Sequence, residues 1–163
     1  MSANPGYANG ISAASAPGSS TATGPAEVVQ AFLIACEEAR LDDALALLAP
    51  DVVYTNVTLP TVHGRRAVER LFRPAYEKLH GGFRVHFHTI AADGDTVLTE
   101  RTDELSLGRV RQRIWVYGRF EVHDGLITVW RDSFDWWDVL VGLLRGLAGA
   151  VMPALNRPWP GDA

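Results

Sequence analysis

The amino-acid sequence predicts an α+β fold: one strongly curved, mixed sheet wrapped around helices, enclosing a deep apolar pocket. Three observations carry this expectation. In the first half, apolar residues recur at helical spacing over residues 25–40, 41–48 and 65–79, with a single alternating stretch at 51–58. The second half then turns almost wholly to strand, with stretches at 83–92, 96–107, 110–122 and 126–135 divided by Asp93-Gly94, Gly108 and His123-Asp124-Gly125, the spacing of an antiparallel meander. A last helical stretch follows at 136–151. Helices and strands segregated in this way cover a sheet on one face and leave a pocket between the layers.

Each element has its own signature. In the first helix, Val28, Val29, Phe32, Leu33 and Cys36 form one apolar stripe. Cys36 on that stripe reads as a buried structural thiol. Leu41, Ala44, Leu45 and Leu48 make a second, shorter stripe that Pro50 terminates. In the first strand, Val52, Tyr54 and Asn56 share a face, because successive side chains point to opposite sides. The third helix buries Val68, Leu71, Phe72, Ala75 and Leu79, and Pro74 within it predicts a kink or break. In the third meander strand Ile114, Val116, Phe120 and Val122 form an apolar face opposite Arg113, Trp115, Arg119 and Glu121. The terminal helix gathers Trp136, Leu140, Leu143, Leu144 and Leu147 on one side, as a lid over the sheet or a dimer contact. Asp138, Arg145 and three glycines make it too short and too interrupted for a membrane span of ~20 residues.

Length and composition bound the function. At 163 residues the chain is one domain, read as a core domain over 25–152, a disordered Ala/Ser/Gly-rich tail at 1–24 and a loose tail at 153–163. The first segment has neither a basic start nor an apolar run, so it does not read as a secretory signal. A net charge of −4 gives no reason to expect nucleic acid or an anionic membrane as a partner. A single cysteine cannot form an internal disulfide, which points to a reducing, cytoplasmic setting. The five histidines have no metal-ligand spacing. His86 and His88, beside Arg84, read as solvated, and Arg109, Arg111 and Arg113 as an exposed hairpin face.

The informative residues are charges placed within strands. Asp132 lies on the same face as Trp130 and Phe134 in the segment LITVWRDSFD. A carboxylate between aromatics is costly unless it is paired, protonated or used. Arg101 and Asp103 share a strand face with Val97, Thr99 and Leu105, ~6.6 Å apart along the strand. Parity alone leaves open whether that face is inward. Across the last hairpin, a two-residue turn would set Asp132 opposite Tyr117, on the polar-aromatic face. A three-residue turn with Gly125 left-handed would set Asp132 opposite Val116 and Trp130 opposite Gly118, gathering the apolar side chains. The latter is expected. One buried guanidinium between two buried carboxylates is self-consistent, since its planar fork can bridge both. Such a unit carries net −1 and readily holds a proton on one acid, the separation that acid/base chemistry requires. Tyr54 and Asn56 add a hydroxyl and an amide able to hold a water. Singly, each feature has an ordinary explanation: a strand edge, a cross-strand salt bridge, a helix cap. It is the joint occurrence of five polar positions that points to a site.

Tyr54-x-Asn56, Arg101-x-Asp103 and Trp130-Arg131-Asp132 together resemble the limonene-1,2-epoxide hydrolase family, in particular its mycobacterial-type members through VLTERTDEL and GLLRGL. The resemblance runs over about residues 25–150. It implies the cone-shaped α+β fold shared with nuclear transport factor 2-like and ketosteroid isomerase-like proteins, a homodimer, and no cofactor or metal. Its mechanism would make Asp132 the base that deprotonates a water held by Tyr54 and Asn56, Asp103 the acid that protonates the epoxide oxygen, and Arg101 the bridge between the two. An apolar epoxide would sit against Ile114, Val116, Phe120, Trp130 and Phe134. Two other readings stay open: an isomerase or polyketide-cyclase-like enzyme using Asp103 as base, and a noncatalytic lipid-binding module.

Overall fold

The structure, a computed structural model, describes residues 24–77, 81–156 and 158–160. The expected N-terminal tail and Leu79 therefore lie outside the described residues, save for Gly24. The chain forms α1 (Pro25–Glu37), α2 (Leu41–Ala46), β1 (Leu48–Asn56), β2 (Val62–His63), α3 (Arg65–Glu77), β3 (Gly82–Asp93), β4 (Thr96–Leu107), β5 (Val110–His123), β6 (Leu126–Ser133) and α4 (Trp136–Val151), then a single 3₁₀ turn at Pro153–Leu155. The six strands make one mixed sheet in the order β2-β1-β6-β5-β4-β3, with β1 parallel to β6 and every other pair antiparallel.

The core sits between α1, α2 and the inner sheet face. Val29, Phe32 and Leu33 pack there with Val52, Val97, Phe120 and Ile127, all at most 2% exposed. Each such side chain contributes roughly 1.5–3 kcal/mol on removal from water. α3 completes the wall by Val68, while Leu71 remains half exposed at the rim. The helix runs through Pro74 to Glu77 without a break. Pro74 faces solvent, and its neighbour Arg73 pairs with Glu69 and Glu77 one turn away in the same helix and ties it to Asp42 of α2. The second helix is shorter than its apolar stripe implies. It stops at Ala46, and Leu48 already belongs to β1, which accommodates Pro50 where the β1/β6 register shifts.

The last hairpin corrects the expected register by two residues. Its turn is Asp124-Gly125, with φ of +51° and +75°, closed by His123 opposite Leu126. That is a two-residue turn of the primed kind that matches strand twist. A bulge follows, in which Thr128 and Val129 together oppose Glu121, and the Thr128 hydroxyl donates to the Glu121 carbonyl at 3.2 Å. The extra residue restores the inward parity of Trp130 and Asp132, which lie opposite Phe120 and Gly118. It also turns Ile127 inward, which strict alternation would have put on the outer face. β3 uses the same device: His88 is an extra residue between Phe87 and Thr89, so that Val85 and Ile90 both reach the core.

The sheet's outer face is partly covered. β6 pairs with β5 only as far as Tyr117, and α4 continues along the edge of β5 beyond it. Gln112 Nε2 donates to the Val139 carbonyl at 2.9 Å and the Trp115 N–H to Asp138 at 3.2 Å, so the edge is not left as an open template. α4 approaches by its glycines: a Cβ on Gly142 would sit 2.8 Å from the Arg113 carbonyl oxygen, and one on Gly146 would collide with the Arg111 backbone. Its leucines and tryptophans consequently face outward, with Trp137 70% exposed. Within the segment expected as a loose tail, Trp159 is buried beneath Arg84, whose guanidinium lies 4.2 Å from the ring centroid. Arg113 is likewise no exposed hairpin residue. It pairs at 2.5 Å with Glu104, a carboxylate buried on the outer side of β4.

Candidate active site

Three adjacent strands deliver the charged residues to one place. Thr99 on β4 lies opposite Gly118 on β5, which lies opposite Asp132 on β6. Arg101 and Asp103 follow on the inward face of β4. On the far side of β6, parallel pairing brings Asn56 beside Asp132 and Tyr54 beside Trp130. All five polar positions singled out in the sequence thus converge on the inner sheet face.

Arg101 is 1% exposed, and each of its nitrogens has a partner. Nε donates to Asp103 Oδ1 at 3.0 Å and Oδ2 at 3.2 Å. Nη2 forms an ion pair with Asp132 Oδ2 at 2.8 Å, and Nη1 donates to the Thr99 hydroxyl at 2.9 Å. Burial opposes the guanidinium charge, but the two carboxylates more than offset it. Breaking one arm of such a unit leaves a buried charge uncompensated, which costs roughly 3–5 kcal/mol.

The two acids are not equivalent. Burial pushes the Asp103 carboxyl up to about 6; Arg101 works against that rise and the charge of Asp132 adds to it. Asp132 Oδ2 takes both the ion pair with Arg101 and the Trp130 indole N–H at 2.8 Å, while Oδ1 is buried and has no partner among the described residues. A buried acceptor without a donor calls for an explanation. Burial first, and then the charge of Asp132, push the Tyr54 phenol upward, so it stays neutral and can donate. These groups border a cavity of about 540 Å³ that is otherwise walled by Phe32, Leu33, Leu45, Phe72, Ile114 and Val116.

The catalytic-domain model of the limonene-1,2-epoxide hydrolases matches residues 23–145. The chain belongs to that family. This limonene-1,2-epoxide hydrolase family member is 47% identical over 128 residues, 78% of its length and 85% of the relative's, to epoxide hydrolase EphG of Mycobacterium tuberculosis. A solved structure of an M. tuberculosis LEH-like epoxide hydrolase shares 44% identity with a TM-score of 0.78, covering 83% of this chain and 95% of the other. An NTF2-like protein from Burkholderia pseudomallei, at 20% identity, has a TM-score of 0.63 over 73% of this chain and 96% of its own. A protein with a ketosteroid isomerase-like fold from Catenulispora acidiphila, at 18%, has a TM-score of 0.62 over 72% and 92%. The last two likenesses bear on the fold alone.

In this family member the expected apolar contacts divide. Ile114, Val116, Trp130 and Phe134 line the cavity. Phe120 does not. It is fully buried one layer deeper, its ring 6.4 Å from Trp130 and 6.0 Å from the Arg101 guanidinium, because the bulge in β6 sets it directly opposite Trp130. Cys36 is only partly buried and borders the cavity, and desolvation pushes its thiol up to about 12, which leaves it protonated and unreactive. His88 stacks on Trp115 at 4.3 Å on the outer face, away from the site. Sequence reasoning gave no role to Gly118 or Thr99. A Cβ at Gly118 would overlap Arg101 Nη1 and the Thr99 hydroxyl, so the bare position is the gap through which the guanidinium crosses β5 to reach Asp132. A glycine in the middle of an otherwise well-formed strand was the available signal. Among the described residues no group of three or more His, Cys, Asp or Glu is arranged to hold a metal ion, and no helix is long and apolar enough to cross a membrane.

Proposed function

We propose that the chain is an epoxide hydrolase that adds water to an apolar epoxide in one step, giving a vicinal diol. A water beside Tyr54 and Asn56 gives a proton to Asp132 Oδ1 as its oxygen attacks an epoxide carbon. The carbon–oxygen bond on the far side breaks, and Asp103 delivers its proton to the departing oxygen. One water is consumed, no ester forms on the protein, and proton return from Asp132 to Asp103 restores the starting state. Arg101 holds the two carboxyls in register and favours one shared proton. Proton transfer by each positioned group is worth ~10²–10⁴-fold, and alignment in the cavity adds to it. The reaction as written needs no metal or organic cofactor, so excess chelator should leave the rate unchanged.

The observation that carries this reading is Asp132 Oδ1: a buried carboxylate oxygen at an apolar cavity, without a partner among the described residues and beside an amide and a neutral phenol. The rest of the cavity wall is largely apolar, which supports a lipophilic epoxide whose ring meets the polar groups. The decisive assay offers the purified protein a panel of apolar epoxides and detects diols by mass spectrometry. Turnover is expected, and Asp132→Asn should reduce it by ~10²–10⁴-fold with the fold intact. Binding without any diol would instead assign a noncatalytic lipid-binding module.

We further read the protein as a cytoplasmic homodimer. Support comes from a single, protonated cysteine and from large side chains left exposed on one flank, among them Trp115 and Tyr117 of β5 and Leu144 of α4. Light scattering should return twice the 17.8 kDa chain mass; a monomer at micromolar concentration would contradict the assignment.

A further inference from the structure

We propose that Thr99 is a positioning residue, whose hydroxyl holds Arg101 to one oxygen of Asp132 and so keeps the other oxygen open as the base. The inference rests on the acid/base reading of Asp132 and Asp103 given above. A guanidinium facing a carboxylate favours the two-pronged arrangement, with parallel N–H donors on both oxygens. Arg101 does not adopt it. Its Nη2 meets Asp132 Oδ2 alone, although Oδ1 of the same carboxylate is buried and has no partner among the described residues. What occupies the other prong is Thr99, which accepts from Nη1 at 2.9 Å.

The local fold makes this restraint possible. Thr99 is 3% exposed and lies directly across from Gly118, whose missing side chain leaves the space where hydroxyl and guanidinium meet. Thr99 does not border the cavity, so it touches neither substrate nor the attacking water. Without its hydroxyl, Nη1 becomes a buried donor with no acceptor, an unfavourable state. The nearest remedy is rotation of the fork onto both oxygens of Asp132. That rotation closes Oδ1 to water and draws Nε away from Asp103.

The test compares Thr99→Val, which keeps the branched shape and removes the hydroxyl, with Thr99→Ser, which keeps the hydroxyl. Thr99→Val should lower kcat at least about tenfold, part of what a positioned base contributes, with KM little changed. The alkaline limb of its kcat/KM profile should move to higher pH, because Asp103 loses the partner that restrains its upward shift. Thr99→Ser should restore both. A crystal structure of Thr99→Val should show Arg101 on both Asp132 oxygens. Should Thr99→Val fail to fold, Thr99→Ala removes the same hydroxyl and carries the same expectations. A Thr99→Val or Thr99→Ala enzyme with kcat within about twofold of the parent and an unmoved alkaline limb would overturn the proposal. If Asp132→Asn is inactive in the same assays, that result sinks the role of Thr99 alone; an active Asp132→Asn would sink the acid/base reading itself.

Discussion

Asp103 and Asp132 have the same side chain and different surroundings, and the proposed mechanism draws on that difference. Asp103 is desolvated with its carboxyl near 6, so it carries a proton in a larger share of molecules than an exposed aspartate does. If it is the acid, kcat/KM should fall as pH rises above about 6, up to tenfold per pH unit, in a rate profile on any accepted epoxide. The same shift enters stability. A carboxyl raised on folding binds its proton more tightly in the native state, so its contribution is full below the ordinary value of 3.8 and is lost as pH climbs to about 6. Urea titrations at pH 4 and pH 7 should therefore show a smaller loss of stability with rising pH in Asp103→Asn than in the parent; an equal loss would contradict the shift. Arg101, Asp103 and Asp132 were legible in sequence because charges inside apolar alternation are conspicuous, while Tyr54 and Asn56 drew notice only through their joint occurrence with them. Gly118 and Thr99 were not, because the role of a missing side chain shows only when its cross-strand neighbours are known.

At the level of elements, sequence periodicity located each long helix and strand but misjudged how they are joined. Alternation alone cannot reveal a bulge. The two-residue Asp124-Gly125 turn and the extra residue at Thr128 cancel in parity, so the expected face of Asp132 was right while its partner was Gly118 and not Val116. The full burial of Ile127, on the face that strict alternation assigns to the outside, is what exposes the inserted residue. α4 inverts the usual expectation for an amphipathic helix: glycines face the protein and leucines face outward. Gly146→Ala should gain up to ~1 kcal/mol of helix propensity. The new methyl would meet the backbone of Arg111, which cannot swing aside, so overpacking of ~1–3 kcal/mol should dominate. Urea denaturation checks this, and a Gly146→Ala protein more stable than its parent would show that α4 can move off the β5 edge.

At the scale of the whole molecule, the sheet curves around α1, α2 and α3 to enclose an apolar cavity, and among the described residues the buried charges on that side are Arg101, Asp103 and Asp132 at its base. The layer order and the pocket were legible from composition and periodicity. The cover on the outer face was not, because the burial of Glu104 by Arg113 and the return of Trp159 depend on long-range packing that no local pattern encodes. In the proposed mechanism water, and not a protein carboxylate, attacks the epoxide. A single-turnover reaction in ¹⁸O-water, with enzyme in excess over substrate, tests this most directly. The label is expected in the diol in that first turnover, with the protein mass unchanged. A first-turnover diol without label, with ¹⁸O afterwards incorporated at Asp103 or Asp132, would establish an ester intermediate and contradict it.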